Sequence, residues 1–314
     1  MYFSKKLKII FIIIVLISSG IKQSNALENK ILFKIDNEII TTIDIYEEIK
    51  FLKVFNPEIN NLDETKLYEI SKSSILRDKI KKIEIMNFMD ELKVNDKFIL
   101  NLINNKYPKI KVESLENFEI YLKNNNLNSE NIREKFTIEL IWNDMVYQKF
   151  SKKIIIDKEK IKNEILQSAK KDKQREVLLS EIIFNVNKKN EFTDKYEKIL
   201  LDIEKIGFKK TALIHSNSDT ASNGGLIGWI KEDNLNQNIK EIISKLQPGQ
   251  FTKPIRTTSG YMLIKIEEER EYSSNLNLDD KIEEVIKFKM NNQLNQFSNM
   301  YFNKLKKNST IYGL

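Results

Sequence analysis

The 314-residue chain is 41% hydrophobic and 31% charged, enough apolar material for two packed domains beneath a well-solvated surface. It holds no cysteine and one histidine, which excludes disulfide scaffolds, thiol catalysis, thiolate metal sites and multi-histidine zinc sites. The formal charge of +7 invites a nucleic-acid reading, yet four lysines and no acid fall within residues 1–26, so the rest carries +3 and that reading loses its support.

The first segment has the parts of a secretory signal: Lys5, Lys6 and Lys8, the apolar run Ile9 to Ile17, and small residues in Ser24-Asn25-Ala26 where a signal peptidase reads. Cleavage is expected near Ala26. The alternative is a retained anchor, for which the run falls short of the ~20 apolar residues of a spanning helix. No cysteine follows it to carry a lipid.

Ile31, Phe33 and Ile35 then alternate with polar residues, predicting a half-buried strand. Asp36-Asn37 marks a turn, and Ile39-Ile40 resumes the extended chain. Thr41-x-x-Asp44 reads as a capping box before a helix that stops ahead of Pro57. Residues 63–92 carry a longer helical pattern and residues 96–105 a shorter one. Two amphipathic helices follow around Asn124-Asn125-Asn126, with Ser129 the expected N-cap of the second. Met86, Phe88, Phe118, Tyr121, Phe136, Trp142 and Met145 lie on these helices. Their spacing makes most of them core and leaves open whether some line a surface for unfolded chains.

Residues 157–171 predict a charged linking helix. Beyond it "VLLSEIIFNV" is a short buried strand. Tyr196, Ile199, Leu200 and Ile203 form the inner face of a helix closed at Gly207, and Phe208, Ala212 and Leu213 continue as a shorter one. His215 is expected at a loop or strand end. Ser216, Ser218 and Asp219 adjoin it rather than converging from separate elements, so no catalytic triad is read there. Gly224, Gly225 and Gly228 crowd together before Trp229 in a chain with only 8 glycines, but without the spacing and trailing lysine of a phosphate loop. A helix then closes at Pro248-Gly249, and two strand-like pieces are joined by Thr257-Thr258-Ser259-Gly260.

From residue 174 to 268 this order, with "NGG-x-x-GW", "L-x-x-GQ-x-x-x-PI-x-T-x-x-G" and the terminal "LIKI", resembles a parvulin-type peptidylprolyl isomerase domain. The signal, the helical N-terminal part opening with "FKIDNEIITTIDI", and a helical tail resemble SurA-type periplasmic folding factors. Such relatives often carry two parvulin domains, and here one is found. The resemblance implies an α+β fold: a signal peptide over 1–26, a helical chaperone domain over 27–171, a parvulin domain over 172–269 with a small, mainly antiparallel sheet flanked by helices, and a C-terminal helix and short strand over 270–314 that complete the helical domain. A coiled-coil dimerisation helix is the alternative for the tail. The paired glycines would lead into the central strand of the parvulin sheet, where positive φ and close backbone approach exclude a Cβ, and Trp229 would anchor that strand in the core.

The resemblance also places the site. Leu235 and Ile239 hold the proline ring, with Asn236 between them. Glu181 and Met262 stand at the two positions where the family carries histidine. Ser218 stands at the family's Cys or Asp position, and Thr257 and Ser259 match the hydroxyls of the last turn. Glu181, Ser218, Thr257 and Ser259 are thus the catalytic candidates, and Leu235, Asn236, Ile239 and Met262 the substrate-binding ones. Leu226 replaces the usual acid after the paired glycines. The implied partners are unfolded or nascent exported polypeptides in the periplasm, outer-membrane proteins foremost, with no cofactor, metal or nucleic acid. Two functions remain: an isomerase that also holds clients, and a pure holdase whose parvulin domain binds peptides without turning them over. A virulence or adhesion factor is a weaker third, with no repeats to support it.

Overall fold

The computed structural model describes residues 29–108, 110–168, 174–186, 188–258, 260–272 and 277–313. The expected signal segment lies outside them, as does Ser259.

Strands β1 (Ile31–Ile35) and β2 (Glu38–Thr41) form an antiparallel hairpin that buries Phe33, Ile35 and Ile40. Thr41 then caps α1 (Thr42–Phe55) through the expected box: its amide donates to Asp44 Oδ2 at 2.7 Å and its hydroxyl accepts from the Asp44 amide. Helices α2 (Glu64–Met86), α3 (Asp96–Lys106), α4 (Leu115–Asn124) and α5 (Ser129–Phe150) follow, capped by Asp63, Asn95, Ser114 and Asn128. The cap of α5 is therefore Asn128, not Ser129: the Asn128 side chain reaches the Asn131 amide at 3.0 Å, which places Ser129 in the first turn. Helix α6 (Lys158–Ser168) leads to the second half.

That half contains β3 (Gln174–Phe184), α7 (Phe192–Ile206), α8 (Phe208–His215), a 3₁₀ turn (Asp219–Asn223), β4 (Leu226–Lys231), α9 (Gln237–Ile243), β5 (Ile255–Thr257) and β6 (Gly260–Tyr272). Its sheet is antiparallel in the order β4-β3-β6-β5. One face packs Ile182, Phe184 and Leu263 against Ile199, Phe208 and Ala212 of α7 and α8. The other packs Val177, Leu179, Ile264 and Ile266 against Ile239 and Ile243 of α9. The strand after the glycines is thus an edge strand, not a central one. Trp229 is half-buried with the Arg270 guanidinium 4.0 Å above its ring, and Ile230 is the residue that enters the core.

The tail is α10 (Leu278–Asn308) and β7 (Ile311–Gly313). β7 pairs antiparallel with β1, so the small sheet runs β2-β1-β7. Phe302 joins the core of Phe33, Ile35, Ile40 and Trp142. Tyr301 stacks on Trp142 with centroids 5.5 Å apart, and Phe297 stacks on Phe150 at 5.0 Å. A second core lies around Phe51, Phe55, Phe118 and Phe136, and it takes in Leu213 from α8. The architecture is α+β, with a helical part, a small closing sheet and a four-stranded antiparallel sheet between helices. No described helix is long and apolar enough to cross a membrane.

Deleting residues 275–314 would expose Trp142 and the inner face of β1. We expect a loss of about 3 kcal/mol or more in the unfolding free energy of the N-terminal helices, the scale of emptying a large aromatic site, read by chemical denaturation followed at Trp142. An unchanged midpoint would show that α10 and β7 do not belong to that folding unit.

Candidate active site

Register fixes which side chains meet. Glu181 lies opposite Ile264, and Met262 opposite Ile183, so Glu181 and Met262 share the sheet face that carries α9. Leu235 and Met262, both half-buried, pack against the same cluster as buried Ile239. The structure therefore brings three of the four substrate-binding candidates to one apolar surface. Asn236 serves as the N-cap of α9, its Oδ1 accepting from the Ile239 amide at 2.9 Å, so its carbonyl is committed to the helix. From the tail, Phe288 packs against the same cluster, and Glu284 bonds Lys231 at 2.6 Å beside it.

The polar half is a compact network. Ser218 Oγ donates to Glu181 Oε1 at 2.5 Å, and Thr220 Oγ1 donates to the same oxygen at 3.0 Å. Burial pushes the Glu181 carboxyl above the ordinary glutamate value; the two hydroxyls work against that, and the Asp219 charge adds to it. Gly225 holds the loop tight against this strand. Its φ is +81°, and a Cβ there would stand 2.2 Å from the Glu181 carbonyl oxygen. The same residue's carbonyl accepts from the Glu181 amide at 2.8 Å. Thr257 Oγ1 donates to the Gly260 carbonyl at 3.2 Å, across its own turn. Thus Glu181 and Ser218 meet, Thr257 braces its hairpin, and Ser259 is outside the described residues.

Sequence reasoning missed Thr220, although it lies two residues beyond Ser218 in the motif loop. His215 is not at a loop or strand end. It closes α8, is buried, and sets Nε2 2.7 Å from Asp202 Oδ2 and Nδ1 3.3 Å from Lys195 Nζ. Lys66 of α2 pairs with the other Asp202 oxygen at 3.0 Å. Burial pushes the His215 pKa down; Asp202 opposes this, while Lys195 and Lys198 reinforce it.

Residues 178–268 match the rotamase family described as the PPIC-type PPIASE domain. This segment therefore resembles a PPIC-type rotamase domain. Part of the chain is similar to proteins called Chaperone SurA. With that of Hahella chejuensis it shares 26% identity over 182 residues, 55% of this chain and 42% of the relative. With that of Xanthomonas campestris pv. campestris it shares 35% over 74 residues, 24% of this chain and 16% of the relative. The matched stretch thus spans less than half the length of these curated relatives. A SurA-like chaperone of Campylobacter jejuni is 20% identical, covering 91% of this chain and 99% of that one, with a TM-score of 0.36.

The histidine of the 178–268 segment gives a pH signature. The folded His215 resists protonation, whereas the unfolded chain takes up its proton as pH falls below the ordinary 6.5. The unfolded state then binds more protons, so stability falls as pH drops through that window. We expect the urea midpoint to fall between pH 7.5 and 5.5, and His215→Gln to show a smaller fall. Equal falls in the two proteins would rule out this origin.

Proposed function

We propose that the protein is a periplasmic, ATP-independent folding factor that holds unfolded exported polypeptides, outer-membrane proteins among them, and whose rotamase domain binds prolyl segments and isomerises them slowly. Residues 27–171 and 270–314 act as one helical chaperone module, residues 172–269 as the parvulin domain, and residues 1–26 as a cleaved export signal. The observation that carries the chaperone reading is an apolar cleft of about 640 Å³ in the helical module, between the end of α2, the start of α3 and α5. Phe88 and Phe98 on its wall are 66% and 59% exposed, and Met89 42%. Exposed aromatics beside flexible methionine side chains suit apolar segments of varied sequence. Similarity to SurA chaperones supports the same reading.

The slow-isomerase reading rests on what the site keeps and lacks. Rotation about an X–Pro bond faces a barrier of about 20 kcal/mol and needs no proton transfer. An apolar seat and desolvation of the amide are the main requirements. Leu235, Ile239 and Met262 offer the seat. Glu181 brings an acid where the family has histidine, and Ser218 and Thr220 occupy its Oε1.

Two measurements on the purified mature chain test this. Phe88→Ser with Phe98→Ser should abolish most aggregation suppression of an unfolded outer-membrane protein while leaving the thermal midpoint nearly unchanged, because both side chains are already exposed. Full suppression by that variant would remove the cleft from the function. For the rotamase domain, Leu235→Ala should weaken binding of a prolyl peptide several-fold, on the order of 1 kcal/mol, and Glu181→His with Met262→His should raise the exchange rate. A wild-type rate equal to that of a histidine-bearing parvulin would overturn the slow-isomerase reading.

A further inference from the structure

Helix α2 presents Ser73, Arg77 and Lys81 at four-residue intervals, one stripe of its surface. That stripe faces the rotamase loop that carries Ser218. Ser73 Oγ donates to the Ile214 carbonyl at 3.3 Å, and the buried Arg77 guanidinium to the Ser216 carbonyl at 2.8 Å. Lys81 Nζ lies 2.5 Å from Asp219 Oδ1. From the other side, Ser298 of α10 donates to Asp219 Oδ2 at 2.6 Å, and Lys306 to Asn217 Oδ1 at 3.3 Å. Ser298 is itself fixed, accepting from the Trp142 indole at 2.8 Å. The loop's opposite side donates Ser218 and Thr220 to Glu181. Donors from the helical module thus hold a loop whose own hydroxyls build the site.

We infer that Lys81 and Ser298 are positioning residues of the rotamase site: by fixing Asp219 they set the flanking Ser218 and Thr220 hydroxyls against Glu181. Asp219 stands between the two hydroxyl residues, so its displacement moves both. Lys81 has 6% of its side chain exposed and Asp219 29%, so the pair is shielded from the screening that weakens surface ion pairs. Burial works to raise the Asp219 carboxyl, but Lys81, Ser298 and Arg77 hold it below the ordinary aspartate range, so the grip is charged at neutral pH. The inference deepens the proposed rotamase role. It rests on that role only for its functional consequence.

The test uses the full chain and needs no peptide, so its failure is separable from absence of isomerase activity. Amide exchange is followed at Asn217, Ala221 and Gly225, which bond Ile183, Ser218 and Thr220, and the Glu181 carboxyl is titrated by carbon NMR. In Lys81→Met and in Ser298→Ala we expect these three amides to exchange about tenfold faster or more, with sheet amides such as Ile264 unchanged. The Glu181 titration should move away from its wild-type position, and Lys81→Arg should restore both readouts. If Lys81→Met does not fold, the milder Ser298→Ala decides. Loop amides and Glu181 titration at wild-type values would overturn the inference. So would equal acceleration of loop and sheet amides, since that reports loss of global stability alone.

Discussion

The last strand pairs with the first. Residues 311–313 close the sheet that residues 31–35 open, and the helix leading to them lays Phe297, Tyr301 and Phe302 against Phe150, Trp142 and Phe33. The helical part therefore lacks a strand and part of its aromatic core until residues 278–313 dock, with the 178–268 segment lying between its two parts in sequence. Contacts of such sequence separation are entropically late in folding. The compensation is a large aromatic core: Trp142 is fully buried, and its indole nitrogen finds a partner in Ser298 only once α10 has docked. Closure thus also supplies the hydroxyl that reaches Asp219.

The contact between the two halves combines apolar packing with buried charge. Leu213 inserts into the core around Phe136, while Lys66, Arg77 and Lys81 reach Asp202, the Ser216 carbonyl and Asp219. Desolvation of such groups offsets much of their attraction, so they contribute little net stability. What they supply is register. A buried cation without its acceptor is strongly unfavourable, and the observed placement of α8 on α2 gives each of these three an acceptor. These contacts tie the 178–268 segment to the helical part through α2 and α8.

Much of this was legible in the sequence, and the exceptions share a cause. The Thr41–Asp44 cap, the strand alternation of Phe33 and Ile35, the helix closing at Gly207 and the turn at Gly260 are local signals, and the structure follows them. Strand order is not local. Nothing in "GGLIGWI" says that β4 has one neighbour instead of two, so Trp229 looked like a core residue and proved to be a half-buried partner of Arg270. The sorting of aromatics is also non-local: Phe118, Phe136 and Trp142 went inside, while Phe88 stayed out because α2 ends just before it. Among the motif positions the structure brings Glu181 to Ser218 and Leu235 to Ile239, but the stripe Ser73-Arg77-Lys81 carried no motif. Its signal was three polar residues recurring every four positions among mixed polar and apolar neighbours, which also describes a solvated helix face.

Glu181 sits at the centre of the candidate site's polar half. Twisting an X–Pro bond breaks the amide resonance, so electron density leaves the carbonyl oxygen and returns to the nitrogen lone pair, and a charged carboxylate beside the amide would bear on that shift. Here Glu181 Oε1 accepts from two hydroxyls, and burial favours its neutral form. Both effects disperse or remove the charge before a substrate arrives. The same hydroxyls are thereby engaged with Glu181 and less available to a substrate carbonyl. The polar half of the candidate site is satisfied internally, so in the proposed role recognition would fall to the apolar half of Leu235, Ile239 and Met262. An apolar seat binds the proline ring in either isomer, so it favours capture over rate, since only interactions that strengthen in the twisted state accelerate the exchange.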